Sequence, residues 1–218
     1  MSRLGLHAGW IAGAMFAITL SVVGAAAPGY DHATMPVSFL GMSVMPVAAY
    51  WNVAGFILPG LLVAWFALSL LAPLERDGAG TAARIGVWLL AISGLAYAGN
   101  GVFPYDLAKP DELASKLHVA MLTIALLGFL PSALMLAMGL RGRPGWRALV
   151  GPGVLLALAV LLSVLQRMID FVPVLEGNPG YAQRITLVLY FLWLALAART
   201  ALSRAATSAP GSPPPARR

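Results

Sequence analysis

The sequence predicts an all-α protein, an integral membrane bundle of six transmembrane helices. Of its 218 residues, 60% are hydrophobic and 10% are charged, and the mean hydropathy is +0.83. Soluble domains carry about 25% charged residues, so this composition excludes a soluble globular enzyme. The chain has no cysteine, which excludes disulfides, iron–sulfur clusters and cysteine-built zinc sites.

A helix needs about 20 predominantly apolar residues to cross the hydrocarbon core of a bilayer. Six nearly charge-free windows approach this length, and Pro59, Pro131 and Pro152 within them predict kinks or helix starts. The six windows are 8–27, 51–72, 85–102, 118–140, 148–169 and 182–198. They leave no room for a separate soluble domain, so residues 1–202 are predicted to form a single transmembrane domain.

The first window also has features of a cleavable signal peptide, because Arg3 precedes an apolar stretch that ends in alanines at 25–27. Against cleavage, Gly5, Gly9 and Gly13 recur every four residues. That spacing lets a neighbouring helix approach closely, so we expect the first span to be retained.

The distribution of basic residues predicts the orientation, because Lys and Arg accumulate in cytoplasmic loops. With the N-terminus inside, ten of the fourteen basic residues are cytoplasmic: Arg3, Arg76, Arg84, Arg141, Arg143, Arg147, Arg199, Arg204, Arg217 and Arg218. Six of the eight acids then lie outside. We therefore predict a multi-pass protein of the cell (inner) membrane with both termini cytoplasmic.

The net charge of +6 is interpreted as this topology signal together with attraction to anionic headgroups. Membrane lipids are thus the expected partners, and no nucleic-acid partner is expected. Residues 203–218 are rich in Ala, Pro, Ser and Arg, and this composition predicts a disordered cytoplasmic tail.

Most unusual polar residues fall in the predicted outer loops. The first loop, 28–50, holds Tyr30, His32 and Ser38, with Asp31 beside them. It has no charged residue from position 33 to 50, so we expect it to lie in the interface or fold back over the bundle. A loop of that kind can roof a cavity.

The second outer loop leads into the fourth span at His118, which is either a structural residue or a proton carrier or metal ligand. Asp106 is either part of a turn after Pro104 or functional. Tyr97 and Asn100 share one face of the third span. Together with Asn52, they can extend a polar pocket into the bundle.

Three other polar residues of the second outer loop have ordinary structural roles. Asp111 is predicted to cap the following helix, and Glu112 with Lys116 is predicted to form an i,i+4 pair. We therefore leave them out of any site.

The third outer loop is flanked by arginines. Arg167 is predicted to form a salt bridge with Asp170. Arg184 has no acid three or four residues away. It is therefore expected to extend to headgroups, or to pair with Asp106, Asp170 or a bound anionic group.

The order and spacing of several short motifs is similar to that of a family of six-span bacterial and archaeal membrane proteins, domain-of-unknown-function family 998. The matching residues are Pro28-Gly29-Tyr30, Ser38-Phe39-Leu40-Gly41, Asn52, Gly55-Phe56, Phe103-Pro104-Tyr105-Asp106, His118, Gly180 to Arg184 and Trp193. The family often has Gly shortly before the His, where Ala114 and Ser115 stand here. The resemblance implies a six-helix bundle with an outer polar cluster of Tyr30, Ser38, Asp106, His118 and Arg184, and it implies no particular reaction.

Three functions are compatible with these residues. The favoured one is an outward-facing polar pocket that binds a lipid or another amphipathic ligand through Tyr30, His32, Ser38, Asn52, Asn100 and Arg184. The first alternative is a lipid- or isoprenoid-modifying enzyme in which Asp106 and His118 act as acid and base. The second is an accessory protein whose polar residues only join helix ends.

A metal-dependent form of the enzyme would use His32, His118 and Asp106 or Asp31. No helical ligand spacing such as His-x-x-x-His is present. We therefore assign neither a metal nor a cofactor, and a haem is disfavoured because His7 lies on the opposite side of the membrane from the other two histidines. The sequence leaves the oligomeric state open.

Overall fold

The computed structural model describes residues 3–169 and 171–207, apart from the side chains at 167 and 174. Its helices are α1 (Arg3–Ala26), α2 (Ala48–Trp51), α3 (Leu58–Ser69), α4 (Leu71–Arg76), α5 (Thr81–Val102), α6 (Leu113–Gly139), α7 (Arg147–Val150), α8 (Pro152–Ile169) and α9 (Pro179–Thr207). A π-helix, Asn52–Ile57, joins α2 to α3. Short 3₁₀ helices cover Val37–Gly41, Pro144–Trp146 and Pro173–Leu175.

The predicted all-α fold is confirmed, and no strand occurs in the residues described. Within the described ranges, six stretches are long and apolar enough to cross a membrane: Arg3–Ala26, Ala48–Arg76, Thr81–Val102, Leu113–Gly139, Pro144–Gln166 and Pro179–Thr207. We call the end of the bundle that carries loops 27–47 and 103–112 the outer end, and the opposite end the inner end. Which end faces the cytoplasm stays a prediction.

The helices extend beyond the apolar windows at several boundaries. α6 begins at Leu113, five residues before His118, because the polar segment that precedes the apolar stretch is itself helical. α9 continues to Thr207, so the tail predicted from 203 is wrong for 203–207, where Arg204, Ala205 and Ala206 favour a helix. The predicted disorder of the remaining tail, and the predicted Arg167–Asp170 salt bridge, lie outside the described residues.

Glycines set how closely the central helices approach. A Cβ on Gly60 of α3 would stand 2.4 Å from the backbone nitrogen of Ala98, and a Cβ on Gly94 of α5 would stand 2.6 Å from that of Ala64. Real Cβ atoms do not come this near, so α3 and α5 touch backbone to backbone. Gly139 packs in the same way against the backbone of Ala83, which joins α6 to α5.

The glycine repeat of α1 is also used inside the bundle. Gly5 faces Ser69, Gly9 faces Phe66 and Ala198, and Gly13 faces Phe191. α1 therefore packs between α3 and α9 and runs antiparallel to α9. This is the close approach that the glycine spacing predicts, while retention of the first span in the mature protein stays a prediction.

Aromatic side chains pack together in the outer half of the core, and buried serines join neighbouring helices. Phe56 is the centre of a set of ring contacts, with centroids 5.4 Å from Trp51, 5.6 Å from Tyr97 and 5.9 Å from His118. Buried serines instead join helices: Ser93 donates to the carbonyl of Ala125 (2.8 Å) and Ser132 to that of Gly86 (2.7 Å). These bonds satisfy polar groups that would be costly in a membrane interior.

Candidate ligand-binding site

The polar residues of the outer end form two separate clusters. The first, which we call the arginine cluster, consists of Tyr30, His32 and Arg184. The second, the histidine cluster, consists of Asn52, Asn100 and His118. The 3₁₀ helix Val37–Gly41 spans the distance between them, since Val37 contacts α9 and Gly41 contacts Asn52.

Arg184 of α9 is the centre of the arginine cluster. Its Nη1 donates to the carbonyl of Met35 (3.0 Å) and its Nη2 to the hydroxyl of Tyr30. The guanidinium carbon also lies 5.5 Å from the centroid of the Tyr30 ring, within the range of a cation–π contact. Neither partner is charged, and no carboxylate forms an ion pair with Arg184 among the residues described.

His32 is the third residue of the cluster, and its ring packs against Gly24 of α1. A Cβ on Gly24 would stand 2.7 Å from Cε1 of His32, so the imidazole lies directly on the helix backbone. The His32 and Tyr30 rings meet edge to face, with centroids 5.1 Å apart. Burial raises the pKa of Tyr30, although the nearby Arg184 guanidinium opposes that shift. Tyr30 is therefore a neutral hydroxyl at physiological pH.

The first outer loop is fastened to the start of α9 by its backbone. A Cβ on Gly180 would stand 2.6–2.7 Å from the carbonyl oxygens of His32, Ala33 and Met35. The amide of Tyr181 donates to Ala33 (3.1 Å), and Gln183 Oε1 accepts the amide of Val37 (2.7 Å). Only glycine at position 180 leaves room for this contact, which is why the loop closes over α9.

A groove of about 390 Å³ runs between α1 and α9. It is lined by Trp10, Gly13, Ala14, Phe16, Ala17, Leu20, Ser21, Val188, Phe191, Leu192 and Ala195. Its few polar groups are already bonded: Ser21 donates to the carbonyl of Ala17 and Trp10 to Nδ1 of His7. The groove is therefore an apolar surface at membrane depth.

Helical register places the groove directly below the arginine cluster. Val188 follows Arg184 by four residues, and Gly24, which carries His32, follows Ser21 by three. At a rise of about 1.5 Å per residue, both intervals correspond to about one helical turn. Polar and apolar surfaces are thus continuous along the faces of α1 and α9.

In the histidine cluster, two backbone carbonyls hold His118. Its Nδ1 lies 3.1 Å from the oxygen of Asn100 and 2.9 Å from that of Phe103. A carbonyl oxygen can only accept, so Nδ1 carries the proton, and Nε2 of the neutral ring is an acceptor. His118 is buried, with 6% of its surface exposed, and it joins the start of α6 to the end of α5.

The two asparagines of this cluster each keep one unsatisfied oxygen. Asn52 donates to the carbonyl of Gly41 (3.0 Å), and Asn100 donates to carbonyls of its own helix. The Oδ1 atoms of both, and Nε1 of Trp51, are buried and have no hydrogen-bond partner among the described residues. A buried polar group that lacks a partner costs about 1–3 kcal/mol, so these atoms make this region the least satisfied part of the core.

The π-helix beside this cluster is explained by Pro59. Proline has no amide hydrogen to donate and its ring crowds the carbonyl four residues before it, so the carbonyl of Gly55 cannot accept the usual α-helical bond from residue 59. Side chains donate to carbonyls of this turn: Thr19 donates to Ala54 (3.4 Å) and Tyr97 to Gly55 (3.3 Å). Pro59 is the second residue of α3, so of the two predicted roles, kink or helix start, it has the second.

No hydrogen bond joins the proposed acid and base, Asp106 and His118, in the part of the chain described. Asp106 Oδ1 accepts the amide of Ala108 (2.9 Å), which is a turn bond, and its own amide donates to Ser115 (3.1 Å). Its carboxylate forms no hydrogen bond or ion pair with Arg184 among the residues described. Ser38 lies half-buried in the 3₁₀ helix between the two clusters.

The residues proposed for metal binding lie in different clusters. His32 belongs to the arginine cluster and His118 to the histidine cluster. Asp31, the alternative acid, accepts hydrogen bonds from Ala33 and Thr34, which lower the pKa of its carboxyl. Within the described ranges, no group of three His, Asp or Glu residues is arranged to hold a metal ion.

Two structural expectations for the second outer loop are wrong. Glu112, not Asp111, precedes α6, and it makes no side-chain capping bond. The ion pairs are Lys109–Glu112 (2.9 Å) and Lys116–Asp111 (3.3 Å), because the helix begins later than an Asp111 cap requires. These side chains are exposed and remain outside the candidate sites.

Sequence reasoning missed two features. One is the groove, whose signal was the helical spacing of small residues Gly13, Ala14 and Ala17 on α1. The other is an inner-end junction at Asp77, whose carboxylate accepts from Trp146 (2.7 Å) and Arg204 (2.9 Å). No local spacing indicates the second feature, because Asp77 and Arg204 are 127 positions apart.

Comparison with known proteins gives a family and no activity. Neither the curated proteins nor the solved structures contain a match to the chain. A family model described as "Protein of unknown function (DUF998)" matches residues 10–200, which include all six membrane-spanning stretches in whole or in large part. This multi-pass membrane protein therefore belongs to the DUF998 family, as its outer-loop motifs suggest.

Proposed function

We propose that the protein binds an amphipathic molecule of the membrane, with the polar head at Tyr30, His32 and Arg184 and the apolar tail between α1 and α9. The observation that carries this proposal is the continuity of the two surfaces. The 390 Å³ groove ends about one helical turn below the arginine cluster. Its volume is near the lower end of the about 300–1,000 Å³ range of ligand pockets, which favours one acyl or isoprenoid chain.

The charge of Arg184 favours an anionic head. A guanidinium has five N–H donors, and the two hydrogen bonds of Arg184 go to the neutral groups of Tyr30 and Met35. Its positive charge is thus left without an ion-pair partner among the described residues. A carboxylate or phosphate at this position would supply charge-assisted hydrogen bonds.

The groove opens sideways toward the bilayer. Trp10, Val188 and Leu192 along its edges are 46%, 52% and 50% exposed. An amphiphile can therefore enter from the membrane without unpacking the bundle. Residence in the cell (inner) membrane is part of this proposal, with lipids as the source of the ligand.

A second candidate is the accessory role. It is favoured by the hydrogen bonds of His118, Asn52 and Gln183, each of which binds the backbone of another element. Such bonds join helix ends and loops whether or not a ligand is present. The lipid-modifying enzyme that uses Asp106 and His118 has no comparable contact to support it.

The groove can be tested with cis-parinaric acid, a fluorescent single-chain carboxylate, titrated into the purified protein in mild detergent. Ala17→Phe fills the groove, whereas Ile18→Phe adds similar bulk at the neighbouring position, which is 64% exposed and does not line it. We expect Ala17→Phe to weaken binding about tenfold and Ile18→Phe to leave it unchanged.

The charge of the head can be tested with the methyl ester of the same acid. If Arg184 recognises the anion, the ester binds more weakly than the acid. Equal binding of the acid to wild type, Ala17→Phe and Ile18→Phe would refute the groove. Equal binding of acid and ester would refute the anionic head.

A further inference from the structure

We propose a second binding site, for a phosphate ester, at the inner end of the bundle between Arg143 and Arg147. A hollow of about 320 Å³ lies there, lined by Leu140, Gly142, Arg143, Pro144, Arg147 and Val150. It is formed by the connection from α6 to α8. The site shares no residue with the groove between α1 and α9, so it stands independently of the function proposed above.

Arg143 is held in place by backbone carbonyls. Its Nε donates to the oxygen of Asp77 (2.9 Å) and its Nη1 to that of Gly139 (3.4 Å). These bonds fix the guanidinium without neutralising it, because neither acceptor carries a charge. Across the described residues, Arg143 has no ion pair with a carboxylate.

Arg147 supplies a second charge to the same hollow. Its side chain forms no hydrogen bond or ion pair in the part of the chain that the structure describes. Two cations that line one hollow repel each other unless an anion lies between them. The hollow therefore has a charge that a bound anion would balance.

A neighbouring hollow at the inner end differs in the charges that line it. It has about 330 Å³ and shares Gly142, Arg143 and Pro144, but Asp77 and Arg204 also line it. Asp77 already forms an ion pair with Arg204, so one of the two arginine charges in that lining is neutralised. Of the residues that the structure describes, no acidic one lines the hollow between Arg143 and Arg147.

The chemistry of the lining selects a phosphate ester. Two guanidinium groups can bind several oxygens of one phosphate through paired N–H donors. Leu140, Pro144 and Val150 provide apolar walls for the carbon part of an ester. The phosphate can belong to a phospholipid headgroup in the adjacent leaflet or to a soluble ester, and the experiment separates these sources.

The test uses the full chain with two probes: sn-glycerol 3-phosphate in detergent solution, and phosphatidylglycerol mixed into phosphatidylcholine nanodiscs. Native mass spectrometry counts bound phosphatidylglycerol, and a thermal-shift titration measures the soluble ester. Arg147→Ala removes one cation of the hollow. Arg141→Ala is the matched control, because it removes an exposed charge from the same connection outside the lining.

We expect Arg147→Ala to reduce retained phosphatidylglycerol at least about fivefold relative to Arg141→Ala, and Arg147→Lys to recover part of it. Binding of both probes identifies the phosphate ester itself as the recognised group, whereas binding of phosphatidylglycerol alone identifies a lipid site. Equal losses of phosphatidylglycerol in Arg147→Ala and Arg141→Ala would overturn the proposal. A wild-type protein that binds neither of the two probes would also overturn it. Melting temperatures without ligand check that each variant folds, and we expect them to stay close to that of the wild type because Arg147 bonds to no other described side chain.

Discussion

At the scale of single residues, His118 shows how the same side chain can support a structural or a chemical role. Its Nδ1 proton is committed to the carbonyls of Asn100 and Phe103. Only Nε2 remains to act on a ligand. The two nitrogens can be tested separately, because asparagine places an amide nitrogen near the position of Nδ1 and glutamine places one near Nε2.

We expect His118→Ala to lower the free energy of unfolding by about 2 kcal/mol, because it leaves buried carbonyls without a donor. His118→Asn should recover more than half of that loss and His118→Gln little of it. Unfolding of the detergent-solubilised protein, followed by circular dichroism, measures all three. If His118→Asn and His118→Gln lower the free energy of unfolding equally, the hydrogen bonds of Nδ1 are not the source of the stabilisation by His118.

At the scale of elements, Asp77 joins helices and loops at the inner end of the bundle, and the first outer loop is bonded to α9 at the outer end. Asp77 follows α4, and its carboxylate accepts from Trp146 and from Arg204 of α9, while its carbonyl accepts from Arg143. One residue thus connects three segments that are distant in sequence. The side chain of Asp77 is 14% exposed, so these bonds are largely shielded from water.

This junction predicts a pH dependence of stability. The hydrogen bonds from Arg204 hold the pKa of Asp77 below its ordinary value of 3.8. A carboxyl with a lowered pKa in the folded state stabilises the protein above its ordinary pKa, and this stabilisation is lost as the pH falls through the folded value. Asp77→Asn should therefore cost about 2 kcal/mol at pH 7 and progressively less below about pH 4.

The measurement is the unfolding free energy of wild type and Asp77→Asn between pH 7 and acid. Asp111→Asn is the control, because its side chain is 96% exposed and its pairing with Lys116 lies on the surface. That control should change stability little at any pH. A difference between wild type and Asp77→Asn that stays constant as the pH falls would contradict the assignment.

At the scale of the whole molecule, hydropathy and glycine spacing predict the bundle because they report local, repeated properties of each span. The candidate site, in contrast, depends on contacts between residues that are far apart in the sequence. Tyr30 and Arg184 are 154 positions apart, and their contact depends on Gly180 admitting the loop backbone. The sequence indicates which polar residues are unusual, but not that they divide into two clusters or that Asp106 is used in a turn.

Orientation is the remaining property of the whole molecule, and it rests on charge. In the part of the chain that the structure describes, eight basic residues lie at the inner end: Arg3, Arg76, Arg84, Arg141, Arg143, Arg147, Arg199 and Arg204. This concentration predicts that the inner end is cytoplasmic. The same orientation places the arginine cluster at the outer leaflet and the hollow between Arg143 and Arg147 at the inner leaflet. The two proposed sites would then draw on different leaflets.

The lack of cysteine allows a direct test, because any introduced thiol is the sole one in the chain. Asp111→Cys places it in an exposed outer loop, and Gly80→Cys places it in an exposed inner loop where a Cβ meets no atom within 4 Å. In intact cells, a membrane-impermeant maleimide should label Asp111→Cys, and it should label Gly80→Cys only after lysis. The reverse pattern would invert the topology and exchange the leaflets of both sites, whereas labelling of both positions in intact cells would contradict a bundle that crosses the membrane between them.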